Sequence, residues 1–329
     1  MHHLIKKIEN GMLPDTQTLT PQEKKWYEKV SHLDISSIEQ EFAEEYIFHS
    51  VENVQVKMHG ISLLEVIPYT PLEFDLCLQI LCLKEQISWN LNNPFVSFDY
   101  LDYRATLIHK KALRESSHKL FLRKMRKDNF PIGTYDFDTL IAKELITQKK
   151  NVLIVGSTGS GKTSFINSLI KFCPEDEHII IAEDTYELNS PHENTTRFIS
   201  DKDFKAYSLS HYMSYAMRMR PERIIIGELR SEEIIPYLLA LNSGHKGVLS
   251  TIHANDCRDA INRLALLYKI YSDKDIPYGT LIKLAAQNID EIIFLENKKV
   301  KEHVKVLGAN GENVFLEEVG QGTYSHIIN

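Results

Sequence analysis

Near the middle of the chain, Gly156 to Ser164 read GSTGSGKTS and follow directly on NVLIV. The spacing G-x-x-x-x-G-K-T dictates a strand, a tight glycine-rich turn and a helix, in that order. Glycines let successive backbone N–H groups curl round phosphate oxygens, and the N-terminus of the following helix adds positive potential. Such a loop needs a buried strand behind it, so its surroundings must supply a sheet. NVLIV, HIIIAED, RIIIGE and GVLSTIHA are short continuous apolar runs, the pattern of strands buried on both faces. Helical patterns alternate with them. SFINSLIKF follows the first run, YSLSHYMSYAMRMR stops before Pro221, and SEEIIPYLLALNSG has Ser231 at the expected N-cap and Gly244 near its end. This alternation predicts a mostly parallel α/β sheet. KVLGANGENVFLEEV reads as an appended hairpin turning at Asn310–Gly311.

The first part of the chain has a different pattern. NVQVKMHGISLLEVIPY predicts a hairpin turning at His59–Gly60, and PLEFDLCLQILCLKEQIS a helix with Pro71 in its first turn. From Val96 to Met125 the sequence returns to strand-like alternation, broken by a polar turn at Glu115–His118. The expected organisation is an α+β domain over 1–122, a linker over 123–137 and an α/β domain over 138–329. The opening residues, charged and containing Pro14 and Pro21, read as a mobile arm or a partner-binding helix.

With 329 residues there is material for two cores, and 43% hydrophobic with 25% charged residues is the composition of a soluble globular protein. Cys77, Cys82, Cys173 and Cys257 show no C-x-x-C pair and no zinc spacing, which suits reduced thiols in a cytoplasmic protein. The N-terminus lacks an apolar signal core, and runs such as LCLQILCL fall well short of the ~18–20 residues of a membrane helix. A net charge of −7 provides no general attraction to nucleic acid or anionic lipid. The basic run HKLFLRKMRK keeps a nucleic-acid contact open as an alternative.

In a phosphate loop of this type Lys162 reaches the terminal phosphates and the Thr163 hydroxyl ligates Mg²⁺. Hydrolysis also needs a carboxylate, and ligands of parallel sheets sit beyond the carboxyl ends of the strands. IIIAED delivers Glu183 and Asp184 there, and RIIIGELR delivers Glu228. Glu228 reads as a holder of Mg²⁺ through water or a polariser of the attacking water, and Glu183 as the other residue able to orient it. Either acid could instead cap a helix or pair with an arginine. His245 in SGHKG and His253 in STIHAND flank the next strand, and either could stabilise phosphate charge or be structural. Arg218, Arg220, Arg223, Arg230 and Arg263 crowd the region, where a ring assembly could insert one at a neighbour's nucleotide.

The four segments VGSTGSGKTSFINSLI, IIIAEDTYEL, MRMRPERIIIGELR and NSGHKGVLSTIHAND resemble, in order and spacing, the Walker A, aspartate-box, Walker B and histidine-box segments of the hexameric secretion ATPases. Gly227–Glu228 reproduces the Gly-Glu ending of that family's Walker B. NPFVSFDYLDYRATLIH followed by HKLFLRKM is similar to the N-terminal segment of the type IV secretion traffic ATPases, in which two arginines reach the phosphates. The matching positions are Arg104 and Arg123, although Tyr103–Arg104 stands for the usual Gly-Arg pair and Leu122–Arg123–Lys124 for an Ile-Arg-(Lys or Ile)-Pro run. The four-cysteine zinc module of many assembly ATPases is missing.

The resemblance implies a RecA-like, Mg²⁺-dependent ATPase forming a homo-hexamer at the cytoplasmic face of inner-membrane secretion components, with ATP between its two domains. It implies nucleotide contacts from Gly156, Ser157, Thr158, Gly159, Ser160, Gly161, Lys162, Thr163, Ser164, Arg104 and Arg123. The implied catalytic set is Glu228, Glu183, Lys162 and His245, with Mg²⁺ at Thr163 and, through water, Glu228. The alternatives are a pilus retraction or assembly motor, a nucleic-acid-translocating hexamer, and an assembly module that binds ATP without hydrolysing it.

Overall fold

The computed structural model describes residues 1–58, 60–113, 115–125, 130–200 and 207–320, with the backbone of 327–328. The chain divides into two compact units, Met1–Arg126 and Lys127–Asn329.

The first unit is built on a six-stranded sheet of β1 (Glu45–Ser50), β2 (Asn53–Met58), β3 (Ile61–Glu65), β4 (Phe95–Tyr100), β5 (Tyr103–Ile108) and β6 (Lys119–Lys124). The order is β3-β2-β1-β6-β5-β4, antiparallel throughout. Its helices are α1 (His2–Glu9), α2 (Pro21–Val30), α3 (Pro71–Lys84) and the short α4 (Lys110–Leu113). Thr20 and Thr70 start α2 and α3 with the same device, a capping box to Glu23 and Glu73 with proline at the first helical position. One side of α3 puts Phe74, Cys77, Leu78 and Leu81 into the sheet's core. The other buries Leu76 and Ile80 beneath Ile8, Tyr27 and Val30. The opening residues, expected as an arm or a partner-binding helix, therefore form α1 and α2 and close over α3. Of the expected His59–Gly60 turn, His59 lies outside the described residues.

The second unit carries a nine-stranded sheet: β7 (Val152–Val155), β8 (Ile179–Glu183), β9 (Thr195–Ile199), β10 (Arg223–Leu229), β11 (Leu249–Ile252), β12 (Glu291–Glu296), β13 (Lys299–Asn310), β14 (Asn313–Glu318) and β15 (Ile327–Ile328). In the order β15-β14-β13-β12-β7-β11-β10-β8-β9, the run from β12 to β9 is parallel and the remainder antiparallel. The helices are α5 (Thr139–Thr147), α6 (Lys162–Ile170), α7 (Leu209–Ala216), α8 (Ile234–Asn242), α9 (Cys257–Tyr271) and α10 (Tyr278–Asn288). Alternate residues of each apolar run serve opposite faces. Leu153, Ile180 and Ile224 pack with α7–α10, whereas Ile154, Ile181 and Ile225 pack with α5 and α6. Each such isoleucine contributes about 1.5–3 kcal/mol by leaving water.

Three local expectations are corrected. The late hairpin turns one residue further on, at Gly311–Glu312, and continues the main sheet through β12 and β13. Ser231 is not the cap of α8; Glu233 holds that position, and its carboxylate accepts from Arg230 N, Ser231 N and the Ser231 hydroxyl. Of the expected linker 123–137, Arg123 and Lys124 belong to β6, Ile132, Tyr135 and Phe137 are buried in the second unit's core, and 126–129 lie outside the described residues.

Candidate functional site

The turn between β7 and α6 is shaped by what surrounds it. Gly156 has φ +149°, and a Cβ there would stand 2.3 Å from Leu295 O and 2.6 Å from Ser160 Oγ. No side chain fits, because the end of β12 backs directly onto the loop. Ser157, Thr158 and Gly159 form its exposed tip, Ser160 is buried, and Gly161, Thr163 and Ser164 are half-buried. Lys162, the first residue of α6, is 7% exposed. Its Nζ donates to Gly156 O at 2.8 Å and Ser157 O at 2.9 Å. Burial lowers its pKa to about 8, and the charges of Glu228 and Glu187 pull the other way. Ser160 Oγ is buried with no hydrogen-bond partner among the described residues. A buried ammonium, an unpartnered hydroxyl and a helix N-terminus in one glycine loop fit a phosphate anion.

From this loop a chain of polar contacts runs along the carboxyl ends of the parallel strands. His253, just after β11, directs Nδ1 at Gly156 O (3.1 Å) and Lys162 Nζ (3.3 Å), and Nε2 at Glu228 Oε1 (2.5 Å). Arg230 reaches Glu228 Oε2 at 3.4 Å through Nη1 and pairs with Asp184 through Nη2. The register explains how Glu228 arrives there. β10 pairs with β11 regularly at Ile226↔Ser250, then slips so that Leu229 opposes Ile252, and the extra residue bulges at Gly227–Glu228. Thr251 Oγ1 closes the bulge by donating to Gly227 O at 2.7 Å. Gly227 is required there, since a Cβ would lie 2.9 Å from Glu183 Cβ on the neighbouring strand. Among the described residues no group of three or more His, Cys, Asp or Glu side chains is disposed to hold a metal ion. The Thr163 hydroxyl and Glu228 carboxylate are hard oxygen donors of the kind Mg²⁺ takes alongside phosphate and water.

Glu183, open in the sequence to orienting water or to pairing with an arginine, has an arginine as one of its partners. It is 2% exposed, and both its oxygens are committed. Oε2 accepts from Glu187 N (3.0 Å) and Leu188 N (2.8 Å), and Oε1 pairs with Arg197 Nη1 at 3.0 Å. Burial raises its pKa to about 7 against the lowering effect of these partners. Glu183 thus holds up the loop that follows β8. The acid this loop presents is Glu187, which is exposed and whose charge acts on Lys162. Sequence reasoning passed over Glu187. The available signal was its place four residues beyond the end of β8, where an acid clears the core.

Residues 112–305 match the family described as "Type II/IV secretion system protein". The chain belongs to that family. Among curated relatives, the type IV secretion system protein VirB11 of Bartonella henselae is 34% identical over 188 residues, 56% of this chain and 47% of the relative. The type IV secretion system protein PtlH of Bordetella pertussis is 35% identical over 155 residues, 45% of this chain and 46% of the relative. The chain therefore spans about half the length of the curated relatives it matches. The pilus retraction motor PilT, solved with ADP, aligns over 91% of this chain and 84% of its own with a TM-score of 0.60 and 20% identity. That likeness is one of fold, the RecA-like P-loop α/β class.

In this type II/IV secretion family member His245 and Arg223 lie apart from the array within the second unit. His245 precedes β11, and β11 runs parallel to β7 with Leu249 opposite Val152 and Ile252 opposite Val155. Residues before a parallel strand sit at the sheet's amino edge, so His245 is at the end opposite Lys162, with Nδ1 3.0 Å from Ser243 Oγ. Arg223, at the start of β10, is 1% exposed and bound to Glu177 and Ile146 O, so it is enclosed in its own core. Arg104 and Arg123 lie directly opposite each other on β5 and β6 of the first unit, with Arg104 paired to Asp99 at 2.9 Å. No helix among the described residues is long and apolar enough to cross a membrane.

Proposed function

We propose that this secretion-family protein binds ATP at the β7–α6 loop and hydrolyses it in a Mg²⁺-dependent reaction, as a homo-hexameric motor for a type IV secretion system. The observation that carries the reading is the contact chain from Gly156 and Lys162 through His253 to Glu228. It sets a buried cation, a hydrogen-bond relay and an acid along one edge of the sheet. Lys162 and the first N–H groups of α6 stabilise charge that grows on the terminal phosphate and the leaving oxygen. Glu187 orients the attacking water, and Glu228, fixed by His253 and Arg230, polarises it from the neighbouring strand end. Thr163 and, through water, Glu228 would hold Mg²⁺, which would supply charge neutralisation at the phosphates. The likeness of sequence to VirB11 and PtlH supports type IV secretion as the setting, with inner-membrane secretion components at the cytoplasmic face as partners.

The test is steady-state ATP turnover of wild type, Lys162→Ala and Glu228→Gln, with molar mass by light scattering in the presence and absence of Mg-ATP. Turnover that disappears in both variants, with a six-fold assembly, supports the motor. A protein that binds ATP, releases no phosphate and is unaffected by Glu228→Gln is an assembly module using ATP as a structural ligand.

A further inference from the structure

Residues 187–189 are irregular backbone, yet Leu188 at their centre is 0% exposed. Buried backbone outside a ladder must find its hydrogen bonds elsewhere. Here three side chains supply them. Asn167, on α6 and 2% exposed, donates from Nδ2 to Glu187 O at 3.0 Å and accepts at Oδ1 from Asn189 N at 2.7 Å. Glu183 takes the N–H groups of Glu187 and Leu188, and Arg197 donates to Leu188 O. The N–H and C=O of both Glu187 and Leu188, and the N–H of Asn189, are thus bonded to side chains. Glu183 and Arg197 tie the segment to β8 and β9. Asn167 alone of the three stands on the helix that begins with Lys162.

We propose that Asn167 is a positioning residue, whose amide locks the backbone of Glu187 to the phosphate-loop helix and so sets the Glu187 carboxylate against the terminal phosphate. The proposal rests on the ATPase reading of the site and on Glu187 as the residue that orients water. An amide suits the task because it offers a donor and an acceptor at once, spanning one residue of the opposite backbone. Aspartate keeps the shape and the acceptor but sets a carboxylate oxygen against Glu187 O. Lys162 and Thr163 keep their own contacts in that variant, so ground-state binding of nucleotide is preserved while alignment of the attacking water is lost.

The experiment compares kcat and KM for ATP in wild type, Asn167→Asp, Glu187→Gln and the double variant. The expected result is a kcat about tenfold or more below wild type in Asn167→Asp, a KM within about threefold, and no further loss when Asn167→Asp is added to Glu187→Gln. Wild-type kcat in Asn167→Asp, a raised KM with kcat unchanged, or losses that multiply in the double variant would overturn it. Full turnover in Glu187→Gln overturns the proposal through Glu187 and leaves the ATPase reading standing. A wild type without turnover removes the ATPase reading itself. Should Asn167→Asp fail to fold, amide hydrogen exchange on the wild type decides. Protection of the Asn189 N–H, which donates to Asn167 Oδ1, comparable to that of α6 supports the clamp, and its exchange at the rate of an open loop refutes it.

Discussion

The imidazole Nε2 of His253 lies 2.5 Å from Oε1 of Glu228, joining the carboxyl ends of the adjacent parallel strands β10 and β11. Its other nitrogen faces the carbonyl of Gly156 and the ammonium of Lys162. With Nε2–H donating to Glu228, Nδ1 is left to accept from Lys162. One ring therefore keeps the Glu228 carboxylate and the Lys162 ammonium in register.

Replacing that ring tests the relay. A hydrogen bond to a charged group contributes about 1.5–3 kcal/mol, so His253→Ala is expected to lower kcat by roughly 10- to 150-fold. KM for ATP should change little, since the loop keeps its glycines and Lys162. Steady-state kinetics checks this, and an unchanged kcat would make His253 a spectator.

Gly227 is the point where β10 passes the Glu183 side chain, and a Cβ there would stand only 2.9 Å from Glu183 Cβ. Gly227→Ala forces a shift at the bulge that aims Glu228. We expect a loss of about 1–3 kcal/mol, the usual cost of overpacking. Equilibrium urea unfolding measures it as a lower midpoint with an unchanged slope. Turnover should fall as well, since Glu228 moves with its neighbour. A midpoint equal to that of wild type would show that the strands part without cost.

Glu183 makes stability depend on pH in an unusual direction. Its pKa in the folded protein is raised by burial to about 7, above the ordinary carboxylate value of 4.5. Between those values the folded state holds the proton more tightly than the unfolded chain, so this residue's contribution falls as pH rises through the window. The effect is on the order of 3 kcal/mol, complete above the folded value and absent below the unfolded one. Unfolding free energies measured from pH 5 to 8 should therefore decline more steeply in wild type than in Glu183→Gln. Parallel curves would place the titration of Glu183 outside this range.

The central sheet was legible because strands buried on both faces carry apolar residues without alternation, as NVLIV and HIIIAED do. The position of the glycine loop followed from its spacing. Less legible was how side chains are shared between segments. An acid at the end of HIIIAED looks available to a ligand until the next loop folds back and binds it through Glu187 N and Leu188 N. His245 and His253 look alike as flanking residues, but chain direction in a parallel strand sends them to opposite edges. In the first unit the β4–β5 turn escaped notice because Leu101 adopts φ +53° without the glycine or asparagine that usually announces such a turn.

The last prediction concerns the energetic cost of the loop itself. Lys162 has a pKa lowered to about 8 from 10.5, chiefly by burial, so its charge is held at a cost to the folded state. That cost is fully present below the folded pKa and is relieved as pH rises towards the unfolded value, because the folded state releases its proton first. Lys162→Met removes the charge and keeps much of the aliphatic stem, at the expense of two hydrogen bonds to loop carbonyls and one to His253. Without nucleotide at pH 7, the variant should melt no lower than wild type even though its turnover is abolished. With ATP at a hundred times its dissociation constant, wild type should gain about 2.7 kcal/mol and the variant far less. Calorimetry with and without ATP reads both effects. A variant that melts well below wild type without nucleotide would mean that the carbonyl contacts outweigh the buried charge, and that Lys162 stabilises the loop before any phosphate binds.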